Sequence, residues 1–148
     1  MKCFVAIVVL VCVFVVQDAS SACVGVALKG DNGKYLSRFG DTKTRLVKNE
    51  LDPYTRFVAS EMEGKLVLQA DTGKYLSRMT RHGTDYIEAV KASPDWYSQF
   101  TVHNQPDGTV VLQADNGKYM SRFGKDSYYE AAKDTIDVYC KLYLEFQL

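Results

Sequence analysis

Three segments of this chain set an ammonium, an aromatic ring, a hydroxyl and a guanidinium in the same order: Lys34, Tyr35, Ser37 and Arg38; Lys74, Tyr75, Ser77 and Arg78; Lys118, Tyr119, Ser121 and Arg122. Groups of these types can stack on and hydrogen-bond a sugar, or hold a carboxylate such as that of a sialic acid or an acidic polymer. Trp96, the single tryptophan, would add a stacking platform if exposed. The same residues admit a structural use, in which the tyrosines cap a core and the arginines pair with neighbouring aspartates or strand-end carbonyls.

Catalytic chemistry finds less support. His82 and His103 do not recur between the segments and lie near no cysteine at a metal-ligand spacing. There is no G-x-S-x-G, no H-E-x-x-H and no phosphate-cradling glycine loop. Asp31, Asp71 and Asp115 are accounted for by turns. The expectation is a binding protein without catalytic residues, cofactor or metal.

The elements that position these groups follow from self-similarity. L-K-G-D-N-G-K-Y-L-S-R at Leu28 to Arg38 returns as L-Q-A-D-T-G-K-Y-L-S-R and L-Q-A-D-N-G-K-Y-M-S-R, with Gly33, Gly73 and Gly117 spaced by 40 and 44 residues. Each copy joins a β-branched run to an alternating run through D-x-G-K, which reads as strand, tight turn, strand. Arg45 to Lys48, Tyr86 to Val90 and Thr135 to Tyr139 supply a third strand per repeat. Segments beginning at Phe57, Phe100 and Phe146, each three residues after a tyrosine (Tyr54, Tyr97, Tyr143), supply the fourth.

Four strands in each of three repeats predict an all-β fold, a β-trefoil: six strands close a short barrel and three hairpins cap it, which removes exposed sheet edges. Leu28, Leu68 and Leu112 should form one core layer, Leu36, Leu76 and Met120 a second, and Phe57, Phe100 and Phe146 a third. Ser127 to Lys133 reads as an insertion whose Tyr128 and Tyr129 would form an exposed contact patch.

Lys2 followed by an uncharged run from Phe4 to Val16 and the small pair Ser20 and Ala22 predicts a signal peptide, residues 1–22. The mature part, 23–148, would be one trefoil with repeats at about 23–61, 62–104 and 105–148. It would be extracellular, with no membrane span after leader removal. Taking residues 1–22 from 18 basic and 18 acidic residues removes one of each, so the mature chain stays neutral, which argues against nucleic acid as a partner.

By threefold counting, Cys23 corresponds to Glu63, and Cys140 to Leu51 and Pro94, at opposite ends of the barrel. An internal Cys23–Cys140 bridge is therefore disfavoured, with a disulfide-linked dimer through Cys23 or Cys140, or two free thiols, as competitors.

The phrase A-L-K-G-D-N-G-K-Y-L-S, with its echoes at 69–77 and 113–121, resembles the N-G-K-Y-L repeat signature of fascin-like β-trefoils across essentially the whole mature chain. Amaranthin-type plant lectins are similar in one copy. The resemblance implies the trefoil fold and, from the fascin side, actin-filament binding or crosslinking. The Q-x-W triplet of ricin-type sugar-binding trefoils has as its nearest match here Ser98 to Phe100. The leading expectation is a secreted, lectin-like binder of extracellular glycans or surfaces in defence, adhesion or matrix. Actin crosslinking is the alternative. The candidate ligand residues are Lys34, Tyr35, Arg38, Lys74, Tyr75, Arg78, Trp96, Lys118, Tyr119 and Arg122.

Overall fold

A computed structural model describes residues Lys2–Cys3 and 23–147. The expected leader, apart from Lys2–Cys3, lies outside the described residues. Strand β1 (Lys2–Cys3) runs antiparallel to β5, with Lys2 opposite Glu61 and Cys3 opposite Ser60. The remaining twelve strands fall into three groups of four. These are β2 (Val24–Lys29), β3 (Tyr35–Phe39), β4 (Lys43–Lys48) and β5 (Phe57–Met62); β6 (Lys65–Gln69), β7 (Tyr75–Arg81), β8 (Thr84–Lys91) and β9 (Thr101–Asn104); and β10 (Val110–Gln113), β11 (Tyr119–Phe123), β12 (Tyr128–Lys133) and β13 (Tyr143–Gln147).

The first and fourth strands of the groups close a ring. β2 pairs β5, β5 pairs β6, β6 meets β9 through Leu66 and Phe100, β9 pairs β10, β10 meets β13 through Val110 and Leu142, and β13 returns to β2. The second and third strands form hairpins β3–β4, β7–β8 and β11–β12. These hairpins touch one another in a triangle, Lys43 against Glu88, Tyr86 against Glu130 and Tyr128 against Arg45. A six-stranded barrel capped by three hairpins is the trefoil that the repeats predicted, with no unpaired sheet edge on the ring.

Each D-x-G-K turn forms for the same local reason. Gly33, Gly73 and Gly117 take φ of 77°, 85° and 82°, a left-handed conformation in which a Cβ is strained. The residue before the glycine fastens the turn: Asn32 and Asn116 accept from the N–H of Lys34 and Lys118 at 3.0 Å, and Thr72 from that of Lys74 at 3.3 Å.

The first two core layers are as expected, with Leu28, Leu68, Leu112, Leu36, Leu76 and Met120 all wholly buried. The third layer differs. Phe57 and Phe100 are buried, but their partner is Leu142, 1% exposed, while Phe146 is 42% exposed. The true register is D-P-Y-T-R-F, D-W-Y-S-Q-F and D-V-Y-C-K-L, four residues earlier in the third repeat than the aromatic count places it. A leucine in the third copy hid it.

That shift moves the whole end of repeat three. Thr135 to Tyr139 is not a strand; the third strand is β12, and Val138–Cys140 is a 3₁₀ turn matching Pro53–Thr55 and Trp96–Ser98. Ser127 to Lys133 is thus a hairpin strand rather than an inserted loop. Tyr129 fills the centre of the cap at 1% exposure, opposite the smaller Thr44 and Ile87 of the other hairpins. Tyr128 lies edge-on to Tyr86 with centroids 5.6 Å apart, so the expected exposed tyrosine pair does not exist.

Cys140 corresponds to Thr55 and Ser98, not to Leu51 and Pro94. It is wholly buried, with its thiol 3.4 Å from the Asp137 carboxylate, where the other copies place a capping hydroxyl. Cys140 is a free thiol and Cys23 is disulfide-bonded, so the two do not pair with each other. Burial also closes Cys140 to a second chain, which removes the dimer through that residue.

Candidate functional site

Three equivalent clefts open where each hairpin meets the 3₁₀ turn of its own repeat. They are lined by Arg38, Phe39, Gly40, Lys48 and Tyr54; by Arg78, Met79, Thr80, Lys91 and Tyr97; and by Arg122, Phe123, Gly124, Lys133 and Tyr139. Their volumes are about 280, 320 and 320 Å³. Arginine, lysine and tyrosine recur in all three linings, which goes with their similar size.

A β-bulge sets the lysine. Tyr35 lies opposite Lys48 but Leu36 lies opposite Leu46, which leaves Val47 unmatched; Val90 and Ala132 are skipped in the same way. The extra residue re-aims the strand end and turns Lys48, Lys91 and Lys133 toward the cleft. Each lysine then pairs with the aspartate four residues on, Asp52 at 2.7 Å, Asp95 at 2.8 Å and Asp137 at 2.8 Å. The same aspartates cap the 3₁₀ turns by accepting the N–H of Tyr54, Tyr97 and Tyr139 at 2.9, 3.0 and 3.0 Å, which fixes the tyrosines. The hydrogen bonds from Lys48 and Lys133 hold the Asp52 and Asp137 carboxyls below the usual carboxylate range.

The arginine of each cleft is held by an aspartate of the next repeat. Arg38 grips Asp71 through Nε at 2.6 Å and Nη2 at 2.9 Å. Arg78 grips Asp115 at 2.7 and 2.8 Å, and Arg122 grips Asp31 at 3.0 and 2.8 Å. Repeat one holds two, two holds three, and three holds one. These are forked, charge-assisted pairs with the carboxylates mostly buried, and they raise the affinity of each guanidinium for its proton. The arginine planes also lie 5.1, 5.3 and 5.1 Å from the Tyr54, Tyr97 and Tyr139 ring centroids.

The outcome separates the candidate residues. Arg38, Arg78 and Arg122 do reach the clefts, but as braced walls rather than free donors. The serines between tyrosine and arginine are wholly buried and donate to the arginine carbonyls, so they belong to no surface. Tyr35 is buried and donates to Glu145 at 2.7 Å; Tyr75 and Tyr119 are half-buried, Tyr119 edge-on to His103 at 5.5 Å. Lys34 and Lys118 pair with Asn49 and Asp134, and Lys74 is exposed. The expected lysine–tyrosine–serine–arginine surface is therefore not assembled. Trp96 is 59% exposed, beside the Lys65 ammonium at 5.1 Å from its ring.

Tyr54, Tyr97 and Tyr139 face solvent in the clefts at 45%, 43% and 45% exposure, beside the exposed Phe39 and Phe123 in the first and third, and their hydroxyls bond nothing among the described residues. Sequence reasoning placed none of these three tyrosines, and none of Lys48, Lys91 and Lys133, among its ligand residues. The signal was present: K-x-x-x-D-x-Y recurs at 48–54, 91–97 and 133–139. Fixing the third copy on Phe146 concealed it.

The sequence matches no protein-family model and no curated protein. Among solved structures the chain is similar to a designed threefold-symmetric protein, ThreeFoil (TM-score 0.72, 15% identity, 81% of this chain and 96% of that one). It is also similar to a ricin B-like lectin of Macrolepiota procera solved with lactose (TM-score 0.69, 8% identity, 82% and 94%). A salivary protein of Culex quiquefasciatus from the Cysteine and Tryptophan-Rich family gives a TM-score of 0.70 at 10% identity, over 83% and 93%. At these identities the likeness is one of fold, and it places the chain among β-trefoil architectures.

Proposed function

We propose that this protein is a secreted, non-enzymatic trefoil that binds neutral extracellular glycans through its three tyrosine clefts. The observation that carries the reading is the threefold recurrence of a half-exposed tyrosine with a free hydroxyl, set among cations that are already paired. In the first and third clefts an arginine and a lysine face two aspartates, and in the second Asp85 adds a third carboxylate on Arg78, so each cation is already paired and no cleft carries a positive excess. A sialic acid or acidic polymer would have to break a forked ion pair to enter, whereas a neutral hexose would stack on the ring, with its hydroxyls accepting from the lysine ammonium and exchanging hydrogen bonds with the phenol. That the similar Macrolepiota procera lectin was solved with lactose is compatible with this reading. Each cleft is shallow, and three on one body raise avidity by about 10² to 10⁴ over a single contact.

A glycan array of the protein, compared with a Tyr54→Ala, Tyr97→Ala, Tyr139→Ala triple variant, tests it. Neutral hexose-terminated glycans should bind the wild type and be lost in the variant. Equal binding by the two, or selection of acidic glycans alone, overturns it. Co-sedimentation with filamentous actin that survives the triple variant would favour crosslinking instead. N-terminal sequencing of the secreted protein should begin at Cys23.

A further inference from the structure

A fourth recess, of about 540 Å³, lies outside the clefts, where the D-N-G-K turn of the first repeat faces β13. Its side chains break the threefold pattern. On this flank Lys29 sits opposite Tyr143, where the corresponding cross-strand pairs are Gln69 with Val58 and Gln113 with Thr101. Two residues beyond Tyr143 is Glu145, in place of Ser60 or His103.

The glutamines have a visible role. Gln69 and Gln113 each donate Nε2 to the carbonyl of the turn glycine, Gly73 or Gly117, at 2.9 Å, bridging strand to turn and closing the flank. In the first repeat that bridge is absent. The Lys29 ammonium instead lies 5.3 Å from the Tyr35 ring centroid, and the space beside Gly33 stays open. Tyr143 is 51% exposed along the recess. Glu145 uses Oε1 for the Tyr35 hydroxyl at 2.7 Å, and Oε2 accepts nothing among the described residues. Lys29 and Glu145 form no ion pair, with each other or with any other described residue. Asp31, the other carboxylate lining the recess, is taken up by Arg122, so one cation, one anion without an ion pair and the Tyr143 ring meet at one recess without neutralising one another.

We propose that this recess binds a small zwitterion of the amino-acid type, its ammonium at Glu145 and the face of Tyr143, its carboxylate at Lys29. Ring faces attract cations, and opposite charges held apart fix the ligand's direction and disfavour ligands with one charge. This site is independent of the glycan clefts. Neither proposal needs the other.

The test is an NMR titration of the isotopically labelled protein with L-phenylalanine, phenylalaninamide, which keeps only the positive charge, and N-acetylphenylalanine, which keeps only the negative one. L-Phenylalanine should shift Lys29, Gly33 and Tyr143 with a Kd of about 1 mM, and each singly charged analogue should bind about tenfold more weakly. Lys29→Gln installs the residue of the other repeats and should restore the bridge to the turn, so it should fold normally and lose binding. Tyr143→Val, which copies Val58, should weaken it. The proposal is overturned by equal binding of the three ligands, by unchanged binding in Lys29→Gln, by shifts confined to other surfaces, or by no shift at about 20 mM, well above the expected Kd.

Discussion

Removing Arg78 should cost this protein more than removing most of its charged residues, because of where the partner carboxylate lies. Asp115 is 7% exposed and receives two guanidinium hydrogen bonds, at 2.7 and 2.8 Å, while the third arm of Arg78 reaches Asp85 at 3.1 Å. Hydrogen bonds to charged groups contribute about 1.5 to 3 kcal/mol each, and stranding a buried charge costs about 3 to 5 kcal/mol. Arg78 is itself 16% exposed, so water can reach part of the site, and Arg78→Met should destabilise by about 3 kcal/mol. Asp115→Asn keeps an acceptor and should cost about 2 kcal/mol. The double variant strands no buried charge at 115 and should cost about 3 kcal/mol, well short of the sum, for a coupling near 2 kcal/mol. Urea unfolding of the four proteins reads this directly, and heat unfolding should show a fall of about 10 °C for Arg78→Met. The same cycle at Arg38 and Asp71, whose carboxylate is 21% exposed, should give about half the coupling. Single-site costs that add to within about 0.3 kcal/mol would refute the claim that these pairs clamp repeat to repeat.

Other outcomes follow from the corrected register and from packing. Phe100→Ala and Leu142→Ala should each cost about 2 to 5 kcal/mol while Phe146→Ala, already half-exposed, costs under about 1.5, in the same urea assay; the reverse order would restore the aromatic register. A Cβ on Gly30 would meet Leu46 Cδ2 at 2.9 Å, whereas the other repeats set Ala70 with Ala89 and Ala114 with Ala131. Gly30→Ala should therefore destabilise the wild type by about 1 to 3 kcal/mol but stabilise a Leu46→Ala background, a change of sign that chemical denaturation would show. The Asp52, Asp71 and Asp137 carboxyls are held below their unfolded value of about 3.9 by hydrogen bonds from Lys48, Arg38 and Lys133. The unfolded chain then takes up protons first as pH falls, so the urea midpoint should stay level above about pH 5 and drop between about pH 4 and 2. A midpoint that held steady down to pH 2 would contradict those ion pairs.

The clamp and the site share residues, which has a functional consequence. Each arginine both joins two repeats and walls a cleft, so an arginine-to-alanine variant would confound lost binding with lost stability. The tyrosines carry no such double duty. They are exposed and unbonded at the hydroxyl, so they are the cleaner probes of recognition.

The primary structure by itself determined the repeat, the turns and the first two core layers. Gly33, Gly73 and Gly117 at a near-constant period demand a left-handed turn, and Leu28, Leu68 and Leu112 sit at fixed distance from it, so local geometry suffices. It also carried Arg38, Arg78 and Arg122 as candidate site residues. What it could not decide was their partners, because each reaches an aspartate at least 33 residues away in another repeat, or 91 residues away when the ring closes. Only tertiary packing chose between a free guanidinium and a braced one. The end of repeat three was misread for a related reason: burial, not aromaticity, defines the position of Phe57 and Phe100, and a leucine satisfies it equally well. Lys29 shows the same limit. On paper it is one mismatch among eleven positions, and only the neighbouring strand reveals that the glutamine it replaces would have closed a recess.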